Sequence, residues 1–152
     1  SASVGAGFER VRRTTLITRV RRDCLHDDVV SMRRRMRKEL DRSDQERFDL
    51  KHGRGGIGDI EFTVQYLVLR NAASYPTVIR YSDNIRQLAA LASVGRLDIR
   101  TAARLQEVYR QFRLRLHHLS LNDRPPFVAA SEFTAERDFV AAVWEQHLGS
   151  GS

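Results

Sequence analysis

Cysteine is almost missing from this chain: Cys24 stands alone among 152 residues, so no internal disulfide can form. A reducing cytoplasm is the natural home of such a sequence. The N-terminus also lacks the charged, then apolar, then small-residue succession of a secretion signal. No apolar run approaches the ~20 residues that a membrane-spanning helix needs, which excludes that class. Proline occurs three times, as Pro76, Pro125 and Pro126, and each lies where a helix is expected to stop. Lysine is scarce as well, since 24 of the 26 basic residues are arginine. That bias fits a GC-rich genome better than it fits a ligand. There is no repeat of fixed period and no low-complexity segment beyond an arginine run.

The length is that of one domain with a proper core, and the formal charge is +7. Residues 1–54 carry a net +6 and residues 55–152 only +1. The run Arg33, Arg34, Arg35, Arg37 and Lys38 points around several faces of one helix, and Asp27, Asp28, Glu39 and Asp41 dilute it. A basic patch of this kind supplies only the non-specific part of nucleic-acid recognition, so a nucleic-acid partner is not expected.

Periodicity predicts an all-α bundle of about five to six helices with short connections. A weakly amphipathic segment spans 8–22. Val29, Met32, Met36 and Leu40 then form a stripe from about 27 to 40, with the arginines outside it. Ile57, Ile60, Val64, Leu67, Val68 and Asn71 mark a helix over about 58–73, with Phe62, Tyr66 and Leu69 making its remaining faces apolar, so that it should be central. Tyr75-Pro76 stops it. Ser82 or Asp83 can cap a helix ending near Gly95, and Asp98 a longer one running to Asn122. A last helix spans 131–148. The expected domain layout is therefore a connecting segment over 1–26, the bundle over 27–148, and a frayed tail over 149–152.

The densest local signal is Phe48-Asp49-Leu50-Lys51-His52-Gly53-Arg54-Gly55-Gly56-Ile57-Gly58-Asp59-Ile60-Glu61-Phe62. Glycines let the backbone turn sharply and leave amides uncovered, while Lys51 and Arg54 place positive charge beside them. Lys51, Arg54, Gly55 and Gly56 are thus candidates for holding a phosphate, with the amides of Gly55 to Ile57 at the helix start. The competing reading is that the glycines only permit close packing against a neighbouring helix or domain. The loop has neither the Gly-Lys-Ser/Thr ending of a Walker A motif nor the context of a dinucleotide fingerprint.

This stretch, continued by Gln65-Tyr66-Leu67-Val68-Leu69-Arg70, resembles the helical domain that follows the nucleotidyltransferase domain of the bifunctional glutamine synthetase adenylyltransferase/adenylyl-removing enzyme. Tyr81-Ser82-Asp83-Asn84-Ile85-Arg86, Leu116 to Leu121 with His117-His118, and Glu136-Arg137 leading to Trp144 agree with it, so the likeness covers most of residues 30–148. The wording fits the adenylylating half better than the deadenylylating half or a uridylyltransferase with a related glycine loop. The resemblance implies a parent that transfers AMP from ATP, with Mg²⁺, to a tyrosine of glutamine synthetase and so regulates nitrogen assimilation. It also implies three partners: the parent's own nucleotidyltransferase domain, glutamine synthetase, and the PII signal protein.

No catalytic residue is assigned to the chain itself. The family's Gly-Ser or Gly-Gly turn followed about ten residues later by Asp-x-Asp is absent, so this portion alone is expected to be inactive and to hold neither ATP nor metal. Asp59 and Glu61 would share a face only on a strand; on a helix they diverge by about 200°. Asp59 is expected in a helix first turn, where acid is favourable, and Glu61 as a polar or interface residue. His117 and His118 diverge by about 100° and cannot act as an i, i+4 metal pair. Core or interface packing is the expectation for both. The expected role is to buttress and complete the nucleotidyltransferase site. The alternative is a structural module that contacts glutamine synthetase or PII without touching nucleotide.

Overall fold

A computed structural model describes residues 22–149. Its elements are α1 (Arg22–Leu40), β1 (Arg47–Asp49), α2 (Ile57–Asn71), a 3₁₀ turn (Pro76–Ile79), α3 (Asn84–Ser93), α4 (Ile99–Leu121), β2 (Phe127–Ala129) and α5 (Thr134–Leu148). The mostly helical bundle that periodicity predicts is what forms. The segment 8–21 lies outside the described residues.

Helix α2 is the central element: α1, α3, α4, α5 and the 3₁₀ turn all pack on it. Ile60, Val64 and Val68 are fully buried along its length, and Tyr66 and Leu67 nearly so. A helix apolar on most sides satisfies its surface only by being surrounded. Around it Leu88 and Leu91 of α3, Leu105 and Phe112 of α4, and Val140 and Leu148 of α5 close one continuous core. Truncating any of these leucines to alanine costs about 2–5 kcal/mol.

The boundary signals operate as expected at two helices. Asp83 accepts from the Arg86 amide and Asp98 from the Thr101 amide, each at the N-cap. Gly95 follows α3 at φ +74°, the left-handed region where a side chain is unfavourable. The central helix ends at Asn71, before Tyr75-Pro76, and the proline instead opens the 3₁₀ turn.

Four expectations need correction. First, α1 does not keep its arginines outside: Arg33 is 1% exposed, while Met32 and Leu40 of the expected apolar stripe are 49% and 43% exposed. The buried face of α1 instead carries Val29, Val30 and Arg33, because an acid on α2 receives the arginine. Second, two short strands pair antiparallel, with Phe48 opposite Val128; three-residue strands are too short to show alternation. Third, the boundary drawn at residue 26 falls inside α1, and Gly149, assigned to a frayed tail, is buried and donates to the Glu145 carbonyl. Fourth, of the core or interface packing expected for His117 and His118, the core alternative fails, because both are exposed on α4.

Candidate functional site

The glycine-rich segment begins on β1. Phe48 is buried, and the Arg137 guanidinium of α5 lies 3.7 Å over its ring centroid. Arg137 is held there by donating to the Ala130 and Glu132 carbonyls at 2.7 and 3.2 Å, and burial lowers its pKa. Asp49, also buried, closes the turn that follows: one oxygen accepts from the Lys51 and His52 amides, both at 3.0 Å, and the other from the Arg42 amide at 3.3 Å. Leu50 then enters the core with no exposure.

The glycines are set by close approach. A Cβ at Gly53 would stand 2.3 Å from the Phe48 ring, and one at Gly56 2.5 Å from the Leu50 carbonyl oxygen. Gly55 has φ +83°, and its Cβ position lies 2.4 Å from the Arg137 carbonyl oxygen, so the first turn of α5 rests directly on it. Any side chain at these three positions forces backbone to move.

Asp59 joins the loop to two helices. Its Oδ1 accepts from Arg33 Nε at 2.7 Å and from Arg37 Nη2 at 2.6 Å, and its Oδ2 accepts from the Gly55 amide at 2.8 Å. Arg33 and Asp59 are each 1% exposed, whereas Arg37 is 29% exposed. Arg33 also donates to the His52 carbonyl at 3.0 Å, and its guanidinium lies 5.7 Å from the Phe62 centroid. Charge-assisted bonds in a dry setting are the strong ones, so this network is what fixes α1 and the loop against α2.

The same hydrogen bonds decide what the loop can offer a ligand. The Gly55 amide is taken by Asp59, the Gly56 amide by the Gly53 carbonyl, and the Ile57 and Gly58 amides by the carbonyls of Leu50 and Lys51 at 2.8 and 3.0 Å. A helix N-terminus binds anions through uncovered N–H groups, and here the preceding loop has already covered them. The amides of Gly55 to Ile57 therefore form no open cradle for a phosphate in this structure, and of the two readings close packing is the one that Gly55 and Gly56, both buried, display.

The side chains of Lys51 and Arg54, in contrast, are exposed, and neither side chain forms a hydrogen bond or ion pair among the described residues. Glu61, one turn into α2, keeps an exposed edge yet is crowded enough that desolvation raises its pKa, with Arg113, Arg33 and Lys51 pulling the other way. The loop thus displays two cations and a reluctant carboxylate on a rigid base. His52 beside them is held toward its neutral form, first by burial, with Asp49 opposing and Arg33 adding to the effect.

Asp59 and Glu61 do not converge. The first is neutralised inside by two arginines, and the second faces outward. Among the described residues no group of three His, Cys, Asp or Glu side chains is placed to hold a metal ion. No described helix is long and apolar enough to cross a membrane.

Sequence reasoning missed Arg33, Arg37, Asp49 and Arg137 as the residues that build this loop. The available signal was the i, i+4 spacing of Arg33 and Arg37 together with Asp59, the first of two acids on a largely apolar helix. Over residues 30–125, well over half of the chain and including α2 and the whole loop, the sequence matches the family model described as GlnD PII-uridylyltransferase.

Proposed function

The chain belongs to the GlnD PII-uridylyltransferase family, and from that premise we propose that it is the helical companion of a nucleotidyltransferase domain, acting by docking to that domain rather than by chemistry of its own. The observation that carries this reading is the contrast within one loop. The amides of Gly55 to Gly58 are engaged inward, while the side chains of Lys51 and Arg54 are held outward on that fixed base without a partner among the described residues.

In this reading Lys51 and Arg54 face the catalytic domain at the mouth of its cleft, where they hold nucleotide phosphates as point charge and guanidinium fork. The ATP and Mg²⁺ of the reaction belong to the catalytic domain. On the likeness of residues 48–70 to the adenylylating enzyme, the parent transfers AMP to a tyrosine hydroxyl of glutamine synthetase. A uridylyl-transferring parent is the neighbouring possibility within the same family.

A second reading is favoured by the covered amides. With no backbone cradle, Lys51, Arg54 and Glu61 suit a protein surface as well as a phosphate, whether that of glutamine synthetase or of PII. One experiment separates the two. The Lys51→Ala/Arg54→Ala double variant of the full-length enzyme is assayed with labelled ATP and labelled UTP, varying nucleotide and protein acceptor in turn.

A raised nucleotide KM supports phosphate contact, and a raised KM for the protein acceptor alone supports docking. Unchanged kinetics in both would sink the assignment of this loop. The chain by itself is expected to transfer nothing, with activity recovered on mixing with the separate catalytic domain.

A further inference from the structure

At the opposite end of α2 from the glycine loop, roughly 20 Å away along its 15 residues, α1, α2 and α5 enclose an open cleft of about 520 Å³ with the segments that follow α2 and α3. Its lining includes Arg70, Arg96, His26, His147, Tyr66 and Tyr75. No carboxylate lines it among the described residues. The neighbouring Asp27 lies on the exposed side with its Oδ1 3.1 Å from His26 Nδ1.

The chemistry of the lining is donor-rich. Arg70 Nη1 donates to the Tyr66 hydroxyl at 3.1 Å, and Arg96 Nη2 donates to the Tyr75 hydroxyl at 3.2 Å. Each guanidinium also lies near its tyrosine's ring, at 6.0 and 5.1 Å from the centroid. One N–H of each arginine is spent in orienting it, and the remaining donors of the fork stay available. Each tyrosine oxygen accepts and so keeps its own O–H to give.

His147 adds a buried Nε2 that has no hydrogen-bond partner, and desolvation, then Arg70, holds its ring toward neutral. A neutral imidazole protonated at Nε2 is one more donor. Arginines near helix C-termini commonly serve to satisfy the last carbonyls, but the bonds of Arg70 and Arg96 go to tyrosine hydroxyls instead.

We propose that this cleft is a binding site for a phosphate-bearing small molecule, with Arg70 and Arg96 on the phosphate oxygens and Tyr66, Tyr75 and His147 completing the donor set. Five donor groups around one opening exceed what the two oxygens of a single carboxylate accept and suit the three oxygens of a phosphate. The volume is that of a metabolite-sized ligand. The site is separate from the loop carrying Lys51 and Arg54, and the inference stands whether or not that loop meets nucleotide.

The test is calorimetric titration of this chain with pyrophosphate, AMP and succinate, each at low and moderate salt. Saturable binding of pyrophosphate or AMP is expected, weakened about tenfold or more by Arg70→Gln and by Arg96→Gln, which is the loss of one charge-assisted hydrogen bond. Tyr75→Phe should weaken it less, and Lys51→Ala/Arg54→Ala should leave it unchanged. Arg96 is exposed, so its variant is expected to keep the parent melting temperature. Absence of saturable binding, full affinity in both arginine variants, or loss in the Lys51/Arg54 variant would each overturn the site. Succinate binding as tightly as pyrophosphate would overturn the phosphate class.

Discussion

Asp59→Ala is the perturbation that tests the architecture of the glycine loop most directly. The substitution leaves Arg33 charged and 1% exposed with no counter-ion, while Arg37, at 29% exposure, can turn its head to water. Removing one partner of a buried ion pair costs about 3–5 kcal/mol, chiefly because the remaining charge stays desolvated. The Gly55 amide loses its acceptor as well, which adds about 1 kcal/mol or more. For a domain of this size each kcal/mol lowers the melting temperature by about 3–5 °C, so a drop of about 12–30 °C is expected.

Urea unfolding followed by far-UV circular dichroism reads the free energy, because most of the signal is helical. Arg33→Met/Asp59→Ala should be more stable than Asp59→Ala alone by about 2 kcal/mol, since it removes the stranded charge. Arg37→Ala should cost no more than about 1 kcal/mol, as befits a partly exposed ion-pair partner. An Asp59→Ala loss under about 1 kcal/mol, or no recovery in the double variant, would show that the ion pair does not hold the loop.

Two further outcomes can be checked on the same material. Gly55→Ala and Gly95→Ala both place a side chain at positive φ, but only the former meets backbone, at 2.4 Å, whereas the latter has open space. Gly95→Ala should therefore cost about 1 kcal/mol and Gly55→Ala clearly more, and equal losses in urea would refute the close approach of α5. Glu61 has a raised pKa, so the folded state binds its proton more tightly than the unfolded state. Stability then falls as pH rises from the ordinary value of 4.5 through the raised one. Glu61→Gln should accordingly unfold at higher urea than the parent at pH 7, with the gain vanishing below pH 4.5, and a gain that is flat with pH would contradict the desolvation of Glu61.

Much of the fold was legible in local chemistry. Asp83 and Asp98 cap helices because a short acid can accept from amides two or three residues on, and Gly95 ends one because it alone takes φ +74° without strain. The surrounded position of α2 followed from apolar residues on nearly all its faces. The unusual glycine content between residues 53 and 58 marked the segment that positions everything else. It was ambiguous between packing and anion binding because both need a bare backbone.

Tertiary structure decided the rest. Whether the amides of Gly55 to Ile57 are open or covered depends on Asp59, Gly53 and Leu50 reaching them, and no periodicity encodes that closure. Arg33 reads as a surface cation by composition and is buried only because Asp59, 26 residues away, supplies the charge that makes burial tolerable. The three-residue strands exist because β1 and β2 meet across the bundle. The cleft of Arg70, Arg96 and His147 likewise gathers residues from three separate segments whose helix ends come together only in the folded chain. The sequence by itself determined where most helices begin and end and that α2 is apolar on nearly all its faces, since those are set by neighbours along the backbone. Which charges are inside, which amides are free and which cations share a cleft were decided by contacts between distant segments.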